Sequence, residues 1–181
     1  GSAGVPRLGG MRVPGILEPL LAAWLALTSV LAGCAHTGHR GGAITAMPSD
    51  EVAHRIERLR SRIERRPEDS RAHRDLGHLL WLHRGETNEA LPHLQVAADA
   101  GLAEAQFELG WMHHWGNGVP QDSDREAALY KLAADQGNAE AQCNLGLSYC
   151  KGQGVAQSYA DAKGWLEKAA AQGDELAAHE L

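Results

Sequence analysis

The sequence AEAQFELG at residues 103–110 returns 36 residues later as AEAQCNLG at residues 139–146. The same offset relates GNGV at 116–119 to GQGV at 152–155, and AADQG at 133–137 to AAAQG at 169–173. A third copy begins with ELAAHEL at 175–181, and a shorter unit with LG at 76–77 and AADAG at 97–101 precedes the first. A repeat of this length is typical of stacked supersecondary units.

The first half of each unit has the spacing of an amphipathic helix. Ala105, Leu109 and Met112 recur at intervals of four and three residues, which places them on one helical face. Gly116 and Gly118 then interrupt the pattern, because glycine readily adopts the left-handed conformations that end helices. We therefore expect a helix followed by a tight turn.

The second half predicts another helix. Asp122 can cap its N-terminus, and Leu129, Leu132 and Ala133 recur on one side. Gly137 stands where a left-handed residue would end it. Such a helix hairpin cannot bury its apolar face alone, so it stacks on its neighbours. The fold predicted from the residues is an all-α, α/α solenoid of stacked helix hairpins.

Composition supports helices. Alanine and leucine account for 30 and 23 of the 181 residues, whereas the β-branched Val, Ile and Thr together number 15. This balance argues against an all-β or parallel-sheet enzyme. The net charge of −6 argues against nucleic acid as a partner.

The residues at 139–174 resemble a known family. The pattern A-x-x-x-L-G-x-x-Y-x-x-G-x-G-V at 141–155, followed by W-x-x-K-A-A-x-x-G at 165–173, is similar to the Sel1-like repeat (SLR), a relative of the tetratricopeptide repeat (TPR). The unit at 103–138 departs from it with His113 for Tyr, Glu126 for Ala and Leu129 for Trp. The resemblance implies an SLR/TPR-like superhelix that serves as a binding scaffold.

The repeats divide the chain from residue 50 onward. We expect a capping helix at 50–66 with Ser49 as its N-cap, a TPR-like unit at 67–102, SLR units at 103–138 and 139–174, and a partial terminal helix at 175–181. The capping helix carries an apolar stripe and is expected to cover the open side of the first hairpin.

The N-terminal region resembles a bacterial lipoprotein. Residues 1–10 are interpreted as a cloning remnant or an upstream extension, and residues 11–33 as a signal peptide. The sequence LAGC at 31–34 resembles a lipobox, which would make Cys34 the lipidation site, before a flexible tether at 34–49. The implied location is the periplasmic face of the outer membrane. Because Glu18 and Pro19 interrupt the apolar stretch, an uncleaved anchor or an ordinary secretory signal remains an alternative.

The resemblance also implies which residues line a concave groove. In TPR-like solenoids these lie on the first helix of each unit, and here they include most of the aromatic residues. Arg71, Arg74 and Lys151 would steer acidic groups of a partner. The alternative is that the aromatic side chains fill the core. The predicted partner-binding residues are Arg71, Arg74, His78, Trp81, Phe107, Trp111, His114, Trp115, Leu147 and Lys151.

The predicted function is a non-catalytic, cofactor-free scaffold for a protein or peptide partner in the cell envelope, with the oligomeric state open. No common nucleophile or phosphate-binding motif occurs. Two alternatives are a β-lactam-binding or β-lactam-hydrolysing envelope enzyme, as in some cysteine-rich SLR proteins, and a membrane-associated assembly factor that uses the basic helix at 55–66.

The cysteines and histidines predict no metal site. His73, His78 and His83 follow each other at intervals of five, so they point in different directions around a helix. Cys143 and Cys150 lie two helical turns apart, about 10.5 Å along the axis, which is too far for them to bridge each other. The pair His36 and His39 falls in the tether.

Overall fold

The computed structural model describes residues 48–181, and every regular element in this part of the chain is helical. The first helix, α1, spans Ser49–Arg65. Three hairpins follow, α2 (Ser70–Leu79) with α3 (Thr87–Asp99), α4 (Ala103–Trp115) with α5 (Ser123–Asp135), and α6 (Ala139–Lys151) with α7 (Tyr159–Ala171), and then α8 (Glu175–Glu180). The predicted all-α solenoid of helix hairpins is confirmed.

The predictions for the N-terminal region lie outside the described residues. These are the extension at 1–10, the signal peptide at 11–33, Cys34 as lipidation site, the histidine pair, and the tether as far as residue 47. Within the described part of the chain, no helix has the length and apolarity needed to span a bilayer.

The apolar core lies mainly between successive helices along the stack. In the first cluster α1 buries Val52, Ile56 and Leu59 against α2, so α1 covers one side of the first hairpin. The next two clusters take residues from the second helix of one hairpin and the first helix of the next, so adjacent hairpins share their core, and the last cluster joins both helices of the third hairpin to α8. These clusters are Leu94, Ala97, Ala98, Ala105, Leu109 and Met112; Tyr130, Ala133, Ala134, Ala141 and Leu145; and Cys143, Leu166, Ala169 and Ala177.

Glycines allow the two helices of a hairpin to approach closely. A Cβ atom on Gly110 would lie 2.8 Å from two ring carbons of Tyr130, and one on Gly146 would lie 2.8 Å from Leu166 Cγ. These distances are shorter than real carbon–carbon contacts, so a side chain at either position would push the helices apart. The Leu-Gly pair of the repeat therefore marks the helix crossing.

The second glycine of each G-x-G turn packs on the preceding hairpin. Gly154 has φ +67°, and a Cβ atom there would overlap the backbone carbonyl oxygen of Ser123, at the start of α5. A Cβ atom on Gly118 would overlap the methyl group of Thr87 in the corresponding position at the start of α3. The turn thus contributes to the seam between units as well as ending a helix.

Glutamines brace the same seams with hydrogen bonds. Gln106, the fourth residue of AEAQ, is buried, and its Nε2 donates to the carbonyl oxygen of Ala98 at 3.3 Å. Its Oε1 accepts from Gln136 Nε2 at 2.8 Å. Gln142 repeats the arrangement with Ala134 and Gln172. Because both ends of each buried amide are paired, the seam avoids the cost of an unsatisfied polar group.

Three local features differ from the sequence-based expectations. Ser49 is the first helical residue and Pro48 holds the cap position, without a side-chain cap; the predicted Ser49 cap is wrong. Leu132 is 53% exposed, because Tyr130 and Ala133 occupy the buried side of α5. Residues Leu80–Arg84 form a π-helical turn at the end of α2, which nothing in the sequence indicated. Asp122, in contrast, caps α5 as expected, accepting from the Arg125 N–H.

Candidate functional site

Three tryptophans from the first two hairpins form a contiguous aromatic cluster, here called the tryptophan cluster. Trp81, in the π-helical turn after α2, meets Trp111 of α4 edge-to-face with ring centroids 5.4 Å apart. Trp111 meets Trp115 at 5.7 Å. Trp81 also packs against two core clusters, whereas Trp115 is 50% exposed. The cluster therefore runs from the core to the surface. Trp81 contributes to the core, whereas Trp115 lies at the surface, where a partner could reach it.

Two histidine–glutamate pairs adjoin the tryptophan cluster. His78 Nδ1 lies 2.6 Å from Glu108 Oε1, and His114 Nδ1 lies 2.8 Å from Glu126 Oε1. Each imidazole is about one-third exposed, with 35% and 33% of the side chain accessible, while both glutamates are buried. The imidazole of His114 also meets Trp115 edge-to-face at 4.8 Å.

The pairs sit beside the aromatic contacts because of helix geometry. His78 of α2 precedes Trp81 of the π-helical turn by three residues, and Glu108 precedes Trp111 by three residues on α4. Residues three apart are neighbours on a helix surface, so the His78–Glu108 pair lies one turn from the Trp81–Trp111 contact. Polar and aromatic groups of two hairpins thus share one surface.

Each of the two buried glutamates retains one carboxylate oxygen without a hydrogen-bond partner. These are Glu108 Oε2 and Glu126 Oε2. Burying an unpaired carboxylate oxygen is costly. Burial accordingly raises the pKa of the Glu126 carboxyl above its usual 4.5, against the opposing influence of the His114 hydrogen bond and of the charges on Lys151 and His113.

The raised pKa of Glu126 has a consequence for stability. The folded protein holds this proton more tightly than the unfolded chain does, so ionisation of Glu126 lowers stability as the pH rises from about 4.5 toward neutrality. In Glu126→Gln, which cannot ionise, we expect the free energy of unfolding to fall less across this range than in the wild type. Urea unfolding followed by circular dichroism at a series of pH values measures the difference.

The matched control is Glu167→Gln, a substitution at a glutamate of α7 whose side chain is 57% exposed. Its pH dependence should follow that of the wild type. A Glu126→Gln variant with the same pH dependence as the wild type would show that the buried carboxyl does not carry this effect.

The remaining predicted site residues lie apart from the tryptophan cluster or at its edge. Arg71 is exposed, and Arg74 forms an ion pair of 3.2 Å with Asp75. Phe107 and Leu147 pack against the clusters of the next two seams, Phe107 with its ring 5.7 Å from that of Tyr130. Lys151 is exposed at the end of α6.

Glu108 and Glu126 were not among the site residues predicted from the sequence. A signal existed for Glu126, since it stands where the repeat carries the small Ala162 one unit later. For Glu108 only its helical spacing from Trp111 was available. Neither signal could reveal burial, which depends on the neighbouring hairpin.

Residues 48–181 contain no group of three histidine, cysteine, aspartate or glutamate side chains that could hold a metal ion. His73 pairs instead with His93, with the two Nδ1 atoms 2.9 Å apart, and its Nε2 contacts the Pro67 carbonyl oxygen at 3.0 Å. Cys150 is a free cysteine, so it does not bridge to Cys143 in the same helix, as its spacing predicts.

The fold and its repeats define an α-solenoid of the Sel1 type, a class that generally mediates protein–protein interaction. Residues 103–138 and 139–174 each match the family model for the Sel1 repeat. The chain is 39% identical to a Sel1 repeat protein from Oxalobacter formigenes over 70% of its own length and 96% of that protein, with a TM-score of 0.63. The chain belongs to the Sel1 repeat family.

Two other solved structures are similar. A protective antigen of uropathogenic Escherichia coli strains with an SLR fold is 26% identical, with a TM-score of 0.50, over 67% of this chain and 34% of that one. The cysteine-rich protein B of Helicobacter pylori is 19% identical, with a TM-score of 0.56, over 75% of this chain and 98% of that one, and it supports the fold alone. No curated protein sequence matches the chain.

Proposed function

We propose that this protein is an envelope-anchored, non-catalytic scaffold that binds a protein or peptide segment on the concave face of its solenoid. The observation that carries the proposal is the tryptophan cluster, which is fixed in the core at Trp81 and reaches the surface at Trp115. Tryptophans anchored in this way dominate the binding energy of many protein interfaces. Membership of a family of interaction scaffolds agrees with it.

The envelope location rests on the sequence of the N-terminal region. The apolar stretch that ends in LAGC at 31–34 favours export and lipidation at Cys34, and the tether would then hold the solenoid close to the membrane. The partner is accordingly expected in the cell envelope. Nothing on the described residues favours the β-lactam alternative.

Removal of the two outer tryptophans tests the binding function. A random peptide library displayed on phage is selected against the immobilised full chain, the Trp111→Ala, Trp115→Ala double variant and Trp165→Ala. The wild type should enrich a shared motif, and the double variant should bind the enriched peptides at least about 30-fold more weakly, since anchor residues contribute about 2 kcal/mol or more.

Trp165→Ala is the matched control because Trp165 lies on α7 and is not part of the tryptophan cluster. The ammonium group of Lys168 lies 3.8 Å from its ring centroid. This variant should bind the enriched peptides as the wild type does. Circular dichroism checks that both variants keep their helical content. Undiminished binding by the double variant, or failure of the wild type to enrich any peptide, would contradict the proposed function.

A second candidate, attachment to an anionic membrane surface through α1, is favoured by unpaired arginines. Arg60 pairs with Glu57 and Glu89, and Arg62 with Asp69. Within the described part of the chain, the other four arginines of residues 55–66 have no acidic partner within ion-pair distance. Arg62, Arg65 and Arg66 line a cleft at the C-terminal end of α1. Vesicle binding that weakens with added salt would be its signature. The arginines without an acidic partner are Arg55, Arg58, Arg65 and Arg66.

A further inference from the structure

We infer that the tryptophan cluster selects a cationic side chain, lysine or arginine, in the bound segment. The inference rests on the proposed function and names the chemistry of the partner. Its elements are the exposed face of Trp115, the aromatic contacts behind it, and the two buried carboxylates of Glu108 and Glu126.

The two carboxylates differ from the other acidic groups that form ion pairs. Apart from the exposed Glu180, which lies 3.9 Å from His179, the other acidic groups in ion pairs of the described chain meet an arginine or lysine, as Glu89 meets Arg60 at 2.6 Å and Asp135 meets Lys131 at 2.8 Å. Glu108 and Glu126 have only an imidazole as partner, and each keeps an oxygen without a donor. Each of these buried carboxylates therefore keeps one oxygen without a hydrogen-bond donor.

Uncompensated negative charge beside aromatic faces favours a cation. An ammonium or guanidinium group over a tryptophan ring is attracted by the electron density of the ring. Glu126 is linked to Trp115 through His114, whose ring lies 4.8 Å away from that of Trp115, and Glu108 lies one helical turn from Trp111. Both carboxylates are buried, so they act on a cation through the low-dielectric interior instead of by direct contact.

The charge of the surrounding solenoid has the same sign. Residues 85–181 carry 15 acidic and 5 basic side chains, a balance of −10, whereas residues 50–84 carry +2. Of the residues expected to attract acidic groups, Arg74 is already paired with Asp75, and the charge of Lys151 acts on Glu126. This charge balance, together with the two buried carboxylates, favours a basic segment over the acidic one expected from the sequence.

The composition of the peptides selected on the full chain tests this inference first. Peptides that depend on Trp111 and Trp115 should carry lysine or arginine at a fixed position, and their affinity should fall as salt is raised. Enriched peptides that lack a basic residue would overturn the inference while the proposed function stands. Failure to enrich any peptide would overturn both.

Charge is then removed from each side of the contact in turn. Replacing the fixed arginine of a selected peptide with citrulline keeps its shape and hydrogen-bonding plane but removes its charge, and a fixed lysine is replaced with norleucine. Binding to the wild type should weaken about tenfold, in line with the attraction between a cation and an indole ring near a surface. This arm needs no protein variant, so it does not depend on how a substitution affects folding.

A double-mutant cycle locates the charge in the protein. With Glu108→Gln, the same replacement in the peptide should weaken binding only about threefold or less, because one of the two buried negative charges is already gone. Glu126→Gln provides an independent variant with the same expectation. Glu167→Gln, at an exposed position of α7, should leave the tenfold effect unchanged. Equal effects of the peptide replacement on wild type and on both buried variants would overturn the inference.

Discussion

Gly154→Ala is expected to lower the free energy of unfolding by about 3 kcal/mol or more. Two costs combine at this position. Gly154 has φ +67°, which costs an L-residue about 1–2 kcal/mol. Its new Cβ would also overlap the backbone oxygen of Ser123 and lie 2.5 Å from the Ser123 carbonyl carbon, so the turn must move away from the preceding hairpin at a cost of about 1–3 kcal/mol. Urea unfolding followed by far-UV circular dichroism measures the loss.

Gly85→Ala separates the two costs. Gly85 has nearly the same φ, +66°, but a Cβ atom there would have no neighbour within 4 Å. This variant should lose only the conformational part, about 1–2 kcal/mol. If both variants lose the same stability, the contact between the G-x-G turn and the preceding hairpin does not hold the seam as described.

Leu145→Ala is expected to destabilise the protein by about 3 kcal/mol, within the roughly 2–5 kcal/mol range of buried leucine truncations. Leu145 is fully buried and packs with Tyr130, Ala133 and Ala134 of the preceding hairpin. Its removal leaves a cavity at the seam between the second and third hairpins, where alanines cannot move in to fill the space. The same unfolding measurement reports the change.

Leu132→Ala is the matched control for this truncation. Leu132 lies on α5 and is 53% exposed, so its replacement should change the free energy of unfolding by no more than about 0.5 kcal/mol. Similar losses for the two leucine variants would mean that the buried seam is not the main source of stability.

The repeat made most of the helical architecture predictable. Glycines and polar caps recur at fixed positions, and they end and start helices through local backbone chemistry, as Asp122 does for α5. Local signals failed where tertiary packing decides. The π-helical turn at Leu80–Arg84 and the exposure of Leu132 depend on neighbouring helices, which the spacing along one helix does not describe.

For the candidate site, the sequence predicted the surface better than its chemistry. Trp81, Trp111 and Trp115 were named from their register in the repeat, and they do meet one another. The carboxylates beside them were not predicted, because the residue type alone does not show whether a glutamate is exposed or buried. For this reason we propose a basic partner segment, whereas the sequence favoured an acidic one.

The sequence by itself determined that the chain is a Sel1-type stack of helix hairpins, since periodic apolar residues, glycines and caps act within a few residues of one another. Only the tertiary structure decided which of its polar groups are buried. His78 meets Glu108 thirty residues away, and the pair forms only because one hairpin stacks on the next. The glutamate is buried there because two hairpins approach each other, and the sequence of either hairpin alone does not specify that approach.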